Sequence, residues 1–483
     1  MRITRGIVRR IGAQRGDSGV SIIEVLAASL IFMILSVGVA QATVTAVRLA
    51  GDQQHRVTAL SLAASEIDLV RSYGDPNKVS SIPEGAKQTV VDGTTYTITR
   101  RTSWVDSAGG DISCSSGGGS NPQLKRVNVE VSWNGQLAMT PPVSSDTLLA
   151  PDGGVSDGSL GTIAVEVLRA DGTGAGGVGV TVTPVAGSGA STPEAQPEPT
   201  GIDGCTFAFK LMPGRYTVSL TKTGYIDTDQ DETPSRTVTV TEAATTAAPF
   251  GFDAASTFLF AGPGADYYAN DATFLNTYGV FYKSGLALGS GQVRLYPWSV
   301  GYRAVGGHYV PPAPGADGSP PVQGCRAVEP LEWAGGAYGA VALGDGAESP
   351  SAATTPGGST NLPVALGVVT VRVPSAHGGT QTTITATKAA ANTAVGDPGC
   401  ADVAMTYTFS NVTKGDNADI RLALPYGTWR ITSTSSICSW ICSTQAQDVT
   451  VTATSNVAPV GSAWVSQSNK RNTTVTLDPR PAS

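Results

Sequence analysis

The fold is decided near the N-terminus, by the stretch Gly19-Val20-Ser21-Ile22-Ile23-Glu24-Val25-Leu26 and the apolar residues that follow it. The 23 residues from Val25 to Val47 carry no charge. As a helix rising about 1.5 Å per residue, they are long enough to cross a bilayer of about 30 Å. Five arginines precede the run. One carboxylate, Glu24, lies at its start, where a charge at membrane depth costs several kcal/mol. We therefore predict a membrane-spanning helix and a task for Glu24.

An Arg-rich leader, a Gly, a short apolar stretch, a Glu and a long apolar helix occur here in the order of the prepilin motif. The segment resembles type IV pilins and type II secretion pseudopilins. The resemblance implies that a prepilin peptidase cuts between Gly19 and Val20, that the new N-terminus is methylated, and that Glu24 pairs with the N-terminal amine of a neighbouring pilin subunit. Val20 departs from the usual Phe, and no Pro interrupts the helix. The alternative is a signal anchor with a chance Glu at its edge.

The helical pattern continues beyond the membrane segment. No Pro occurs from Val20 to Ser72, and Tyr73-Gly74-Asp75-Pro76 then supplies a Gly cap followed by a Pro. We expect a leader over 1–19 and a long helix over 20–72 whose first half spans the membrane.

A small sheet is expected after the helix. Asp92-Gly93 between two runs of β-forming residues predicts a hairpin, and the alternation of Val127, Val129 and Val131 with polar residues predicts a strand with one buried face. Residues 73–140 should therefore form the pilin β-sheet, and residues 141–160, rich in Pro, Gly, Ser and Asp, a linker.

Short alternating runs between turn residues predict an antiparallel β-sandwich over 161–254. The runs are Ile163/Val165/Val167, Val180/Val182, Phe207/Phe209, Tyr216/Val218/Leu220 and Val238/Val240. Together with Gly204-Cys205-Thr206-Phe207, Pro213-Gly214-Arg215-Tyr216 and Gly224-Tyr225, their order resembles the carboxypeptidase regulatory-like and collagen-adhesin B-repeat sandwiches. The resemblance implies a non-catalytic scaffold or an adhesive stalk.

A related unit recurs near the C-terminus. Gly427-Thr428-Trp429-Arg430-Ile431 matches the pattern of Gly214-Arg215-Tyr216-Thr217-Val218, and Val449 and Val451 stand in for Val238 and Val240. We expect a second sandwich over 363–483. Residues 255–362, with candidate strands at 257–260, 280–283 and 293–298, are expected to form a further β-domain.

The resemblance and the strand patterns together predict an α+β pilin module, a long N-terminal helix plus a small antiparallel sheet, followed by two or three all-β sandwich domains. The composition is that of a multi-domain, mostly β protein. Charged residues make up 14% of the chain, and 58 Gly and 30 Pro exclude a coiled coil or helical bundle. The first 19 residues carry five Arg and one Asp, so the net charge of −7 leaves −11 on the rest. An acidic body has no basic face for phosphates, and no nucleic-acid partner is expected.

The six cysteines are expected to pair in an exported chain, although six allow about 15 connectivities. Cys438 and Cys442 are close enough in sequence to close a small loop. Cys325 with Cys400, and Cys114 with Cys205, are the remaining candidate pairs, and both would tie neighbouring domains together. The alternative is that some thiols remain free and buried.

The sequence was searched for two kinds of site, a metal site and a catalytic site. Asp227, Asp229 and Asp231 are alternate carboxylates that fit either a calcium loop or a solvated acidic loop. The Gly of an EF-hand is absent, so we favour the solvated loop and expect no cofactor. With only His55, His308 and His377 in the chain, a Ser/His/Asp arrangement has no support, and we expect no enzyme activity.

The sequence as a whole predicts a minor, modular type IV pilin-like protein. The precursor would lie in the cytoplasmic membrane as a single-pass protein, and the assembled subunit in an extracellular pilus or at the cell surface. Its partners would be the prepilin peptidase, other pilin subunits, the membrane and a surface or host ligand bound by the β-domains. The alternative is a pseudopilin of a type II secretion or DNA-uptake machine, which needs no large head.

Overall fold

The computed structural model describes residues 21–73, 79, 85–105, 110, 112, 114, 124–136, 141–150, 159–283, 285, 288, 291–311, 325–338, 341–373, 381–400, 404–412, 418–438, 442–456, 463–469 and 471–480. Within them the chain forms one long helix and 29 strands. It divides into two compact units, Met1–Trp104 with Leu124–Ala150, and Val105–Gln123 with Pro151–Ser483. The mostly β architecture with one long N-terminal helix confirms the predicted fold class.

Helix α1 (Ile22–Ser72) is the long helix that the sequence predicts. Its C-terminal part carries a stripe of buried residues, Ala59, Ala63, Ile67 and Val70, at spacings of three and four residues. That spacing places them on one face of a helix, so this part of α1 is built to cover a sheet. The helix ends at Ser72, and the amide of the capping residue Tyr73 donates to the Val70 carbonyl at 3.3 Å.

The sheet of the first unit contains β1 (Gly85–Val91), β2 (Thr94–Val105), β3 (Leu124–Trp133) and β4 (Val143–Leu149) in this spatial order. Asp92 and Gly93 both have positive φ, +49° and +78°, and form the predicted hairpin turn between β1 and β2. Tyr96 and Ile98 of β2 and the buried alternate residues of β3 pack with the α1 stripe in one core.

The predicted linker over 141–160 is wrong for residues 143–149. They form β4, which pairs antiparallel with β3 from Val143 opposite Val131 to Leu149 opposite Lys125. Only Val143 and Thr147 of this strand are buried. Backbone pairing to the edge of β3 holds this strand in place. Because so few of its side chains are buried, its sequence lacks the apolar alternation that would have predicted a strand.

The second unit begins with a β-sandwich, as predicted. Its strands are β5 (Gly161–Leu168), β6 (Gly179–Pro184), β7 (Cys205–Leu211), β8 (Gly214–Thr221), β9 (Tyr225–Asp227), β10 (Ser235–Val240) and β11 (Thr245–Ala254). They form two sheets, β10-β8-β6 and β7-β5-β11-β9, which contribute residues to one core.

The expectation of a wholly antiparallel sandwich is wrong at one place, because β11 runs parallel to β5. Strands β10 and β11 are consecutive but lie in different sheets, so the chain crosses from one layer to the other between them. A layer crossing frees the second strand from hairpin geometry, and β11 then enters its sheet in the direction of β5.

The next strands are β12 (Ser256–Ala261), β13 (Tyr267–Tyr268), β14 (Ala272–Asn276), β15 (Gly279–Lys283), β16 (Gln292–Leu295), β17 (Arg303–Gly306), β18 (Gly336–Tyr338), β19 (Val341–Leu343) and β20 (Ser359–Ala365). Six of them form a sheet in the order β15-β14-β17-β20-β12-β16. Strands β18 and β19 form a separate hairpin.

The last strands are β21 (Gly367–Arg372), β22 (Gln381–Lys388), β23 (Thr406–Val412), β24 (Asp419–Leu424), β25 (Gly427–Cys438), β26 (Cys442–Gln447), β27 (Thr450–Asn456), β28 (Ala463–Asn469) and β29 (Asn472–Leu477). They form a sheet β13-β24-β21-β27 and a second sheet β23-β22-β25-β29-β28, with β26 paired to β25.

The predicted boundary between domains 255–362 and 363–483 is wrong. Strand β20 runs across it and lies between β17 and β12, while β13 pairs in parallel with β24. One hydrophobic core contains Leu275 and Trp333 from before the boundary together with Trp429 and Leu477 from after it. These pairings join strands far apart in the sequence, and local alternation carries no information about them.

The two copies of the predicted internal repeat agree at the turns that precede β8 and β25. They differ in the strands that follow these two. Tyr216 Oη donates to the Met212 carbonyl at 2.9 Å, and Trp429 Nε1 donates to the Pro425 carbonyl at 2.7 Å, so each buried ring closes the turn that starts its strand. The following strands differ. Strand β10 pairs with β8, whereas β27, which contains Val451, pairs with β21 and not with β25.

Candidate functional site

The first half of α1 is the candidate functional surface, because it is apolar and exposed along its length. Among the described residues, α1 is the one helix with the length and composition to cross a membrane. Its exposed large apolar side chains in this half are Ile22, Ile23, Val25, Leu26, Leu30, Ile31, Phe32, Met33, Ile34, Leu35, Val37, Val39, Val44, Val47 and Leu49. A surface of this extent in water is unstable, and it calls for lipid or the apolar helix of another chain.

Glu24 lies in the first turn of α1 and is exposed. Its amide donates to the Ser21 carbonyl at 2.9 Å, which fixes the start of the helix. A carboxylate in the first turn interacts favourably with the positive end of the helix dipole. The side chain borders a shallow apolar surface formed by Val25, Ala28 and Phe32. Glu24 is therefore the one charge on a face that is otherwise suited to hydrocarbon.

The predicted processing site, Gly19 and Val20, lies outside the described residues. Cleavage between them, and methylation of the new N-terminus, stay predictions.

A buried ion pair fixes the second half of α1 to the sheet of the first unit. Glu66 is 6% exposed and Arg100 of β2 is 2% exposed, and their side chains meet at 2.9 Å. Lys87 of β1 contacts the other carboxylate oxygen from the exposed side. This pair was not predicted from the sequence. The available signal was that Glu66 falls on the stripe of Ala59, Ala63 and Ile67, where an unpaired charge would be costly.

A second contact between α1 and the sheet lies on the same helix face, nearer to the N-terminus than Glu66. His55 Nδ1 is 2.9 Å from Tyr96 Oη, and the rings of both residues lie within 6.4 Å of the Trp133 ring. The aromatic group packs where the sheet meets α1, so His55 contributes to this packing. The contacts of His55 were likewise not predicted from the sequence.

The acidic loop after β9 is organised around Asp227. Its Oδ1 accepts hydrogen bonds from the amides of Asp229 at 3.0 Å and Asp231 at 2.7 Å. Burial raises the pKa of the Asp227 carboxyl above its usual range, and the charges of Asp229 and Asp231 act in the same direction. Over the described part of the chain, no three His, Cys, Asp or Glu side chains are placed to hold one metal ion. The geometry uses Asp227 to shape the loop.

Gln230 of the same loop reaches the strands that follow the sandwich. It has positive φ, +69°, and its Oε1 accepts from the Tyr296 amide at 2.7 Å. Its Nε2 contacts Tyr302 Oη at 3.4 Å. Glu232 adds an exposed ion pair with Arg294 at 2.7 Å. The loop considered for calcium is therefore a contact between the sandwich and the six-stranded sheet, a role that sequence alone did not suggest.

The structure contains two disulfides within the second unit, Cys114–Cys205 and Cys325–Cys400. These are the pairs named in the sequence analysis. The backbones of Cys438 and Cys442 are direct cross-strand partners in β25 and β26. Their side chains lie outside what the structure describes, and the third bridge stays a prediction.

Comparisons with known proteins give distant structural similarity only. No protein-family profile matches the chain, and no curated protein matches it. Among solved structures, the Bacillus anthracis TIE protein is 11% identical with a TM-score of 0.18, over 76% of this chain and 70% of that one. A streptococcal ancillary pilin is 14% identical with a TM-score of 0.17, over 53% of this chain and 82% of that one. The major pilin subunit of Bacillus cereus is 10% identical with a TM-score of 0.17, over 62% of this chain and 96% of that one. Values this low carry no argument about the function of this chain.

Proposed function

We propose that this protein is a minor, modular type IV pilin-like subunit. Helix α1 inserts it into the membrane and then into a filament, and the β-strands of the second unit form an adhesive head. The observation that carries the proposal is the exposed apolar half of α1 with Glu24 in its first turn. Such a helix suits lipid before assembly and a bundle of like helices afterwards, and Glu24 can then pair with a neighbour's N-terminal amine.

The size of the second unit supports surface display. Residues 159–480 carry 25 strands but no part of the filament helix. A β-rich head of this size adds nothing to insertion, whereas it offers a large surface for binding. Catalysis is not part of the proposal.

The alternative is a pseudopilin of a secretion or DNA-uptake machine, which would use the same helix. The two proposals differ in where the protein is found. Immunogold labelling of intact cells should place an adhesive subunit along or at the tip of surface filaments, and a pseudopilin beneath the cell surface.

The assembly role is tested by Glu24→Ala. The variant should insert into the membrane at least as well as wild type, because a charge is removed from the apolar segment, and it should be depleted from sheared filaments about tenfold or more. Immunoblots of the membrane and filament fractions measure both. Mass spectrometry of the wild-type filament protein should show an N-terminus at Val20.

Glu194→Ala is the matched control, since Glu194 is exposed and belongs to the second unit. It should reach filaments at wild-type levels. Equal recovery of the Glu24 and Glu194 variants in filaments would remove the assembly role of Glu24.

A further inference from the structure

Residues of the two outer strands of the six-stranded sheet in the second unit line one cavity, together with Ile226 of β9 and Gln230 and Glu232 of the loop that follows it. Strands β15 and β16 are the first and last in the order β15-β14-β17-β20-β12-β16. Nevertheless, both strands border the same cavity, which has a volume of about 350 Å³. It is lined by Phe281, Tyr282 and Lys283 of β15 and by all four residues of β16. The sheet is therefore an open barrel, with a groove where one more strand would close it.

The floor of the groove is apolar. It is formed by Phe274, Phe281, Val293 and Leu295. Phe274 and Phe281 are cross-strand partners, and Val293 and Leu295 alternate along β16, so all four belong to the inner surface of the curled sheet. Phe274, Val293 and Leu295 are themselves buried, so the partly buried Phe281 is the accessible part of this floor. A chain lying in the groove would place every second side chain against it.

Both walls of the groove are strand edges. Within the described residues, β15 pairs with β14 alone and β16 pairs with β12 alone. An outer strand directs half of its backbone N–H and C=O groups away from its sheet, and these groups are a template for another strand. Here two such edges border one apolar floor, and the four residues of β16 set the length of the missing strand.

The polar side chains around the groove favour a peptide over a small polar ligand. Arg294 is paired with Glu232, and Gln230 is bonded to the Tyr296 amide, so these groups are already engaged. The exposed Lys283 at the end of β15 has no ion-pair partner among the described residues. The groove thus offers a ligand two rows of backbone N–H and C=O groups, apolar contacts at alternate positions, and the ammonium group of Lys283.

We propose that the groove between β15 and β16 binds one extended segment of a partner polypeptide. The segment adds a strand to the open barrel, carries apolar side chains at alternate positions, and places a carboxylate opposite Lys283. Backbone pairing on one or both sides supplies affinity, and the apolar floor and Lys283 supply selectivity.

The test selects peptides from a phage-displayed library of random short peptides on the full-length protein in detergent micelles. Enriched peptides should alternate apolar and polar residues and contain an acidic residue. A synthetic copy of the best peptide should slow hydrogen exchange of backbone amides in 279–283 and 292–295. The same peptide N-methylated at alternate backbone nitrogens should bind at least about tenfold more weakly, because it cannot pair as a strand.

Two charge-reversal variants separate the groove from the general surface. Lys283→Glu should weaken the synthetic peptide by about tenfold, and Arg430→Glu, a reversal on the exposed face of β25, should leave its affinity unchanged. The proposal is overturned by a selection that enriches no alternating peptide, by equal binding of the N-methylated peptide, or by protection outside β15 and β16. Selected sequences that match a segment of this chain would make the occupant a second copy instead.

Discussion

Two glutamates on α1 show how position along one helix changes what a carboxylate does. Glu24 is exposed among apolar side chains, where it has no partner of opposite charge within the described residues. Glu66 is buried and meets Arg100 at 2.9 Å. Both members contribute to the stability of the first unit, because removing one takes its attraction away from the other buried charge. Glu66 is thus a stability residue, whereas Glu24 remains available for the pairing between subunits that we propose.

Replacing Glu66 by Ala should lower the free energy of unfolding of the first unit by about 3–5 kcal/mol, because the buried ion pair between Glu66 and Arg100 is lost. Urea unfolding of residues 51–150 carrying Cys114→Ser measures the change. Lys87→Ala is the control, since the Lys87 side chain is 56% exposed, and it should cost less than about 1 kcal/mol. Similar losses for both variants would contradict the central position of the Glu66–Arg100 pair.

The Asp227 carboxyl gives a pH-dependent prediction. Its folded-state pKa is raised by burial, so its contribution to stability is present below its unfolded pKa and is lost as pH rises through the folded pKa. Asp227→Asn keeps an oxygen acceptor for the two amides and removes the charge. The variant should melt at or above the wild-type temperature at pH 7, and the difference should shrink as pH falls below about 4.

Thermal scans at the two pH values, with calcium and with a chelator, check this. A wild-type protein that calcium stabilises, with loss of that effect in Asp227→Asn, would restore the calcium interpretation of the loop.

At the scale of elements, the loop between β9 and β10 decides how the sandwich contacts the next sheet. Gln230 provides the acceptor for the Tyr296 amide, and Tyr296 is buried. A buried amide without an acceptor costs about 1–3 kcal/mol. Gln230 has a positive φ, which is a strained backbone conformation for a residue other than Gly. This conformation places its side chain at the Tyr296 amide.

Gln230→Ala should therefore destabilise the second unit by about 1–3 kcal/mol and speed hydrogen exchange at the Tyr296 amide. The neighbouring substitution Asp229→Ala is the control, because the Asp229 side chain is exposed. Exchange at Tyr296 that is unchanged in Gln230→Ala would show that the contact does not hold the two sheets together.

At the scale of the whole molecule, residues 255–480 behave as one packing unit. Arg480 is fully buried, pairs with Asp478 at 2.7 Å, and donates to the Ala334 carbonyl at 2.6 Å. Its guanidinium lies over the Trp333 ring at 5.1 Å. The C-terminal segment is thereby bound to residues that precede it by more than a hundred positions. The Cys325–Cys400 disulfide likewise joins a residue before position 362 to one after it.

A fragment of residues 159–483 carrying Cys205→Ser should fold as a soluble β-rich protein and lose about 2–4 kcal/mol of stability when Cys325–Cys400 is reduced. A shorter fragment of residues 159–362 should fold only in its sandwich, because its other strands lack the core residues contributed by β21 to β29. Circular dichroism and urea unfolding compare the two. Cooperative folding of residues 255–362 in the shorter fragment would contradict the shared core.

The same longer fragment tests the adhesive role in the proposed function. It should compete with intact cells for attachment to a surface. Competition by the first unit alone would favour the pseudopilin alternative.

The sequence by itself determined α1, its end near Ser72, the β1–β2 hairpin at Asp92-Gly93, and most strands of the first sandwich. These features depend on interactions between residues close in sequence, such as helical periodicity, turn chemistry and alternation. The candidate at Glu24 came from the same kind of local pattern. Tertiary structure alone decided the partner of Glu66, the parallel neighbours of β11 and β20, the core shared across residue 362, and the groove between β15 and β16. Each of these brings together residues that are distant in the sequence, where backbone pairing and buried polar contacts are specific only once the fold is formed.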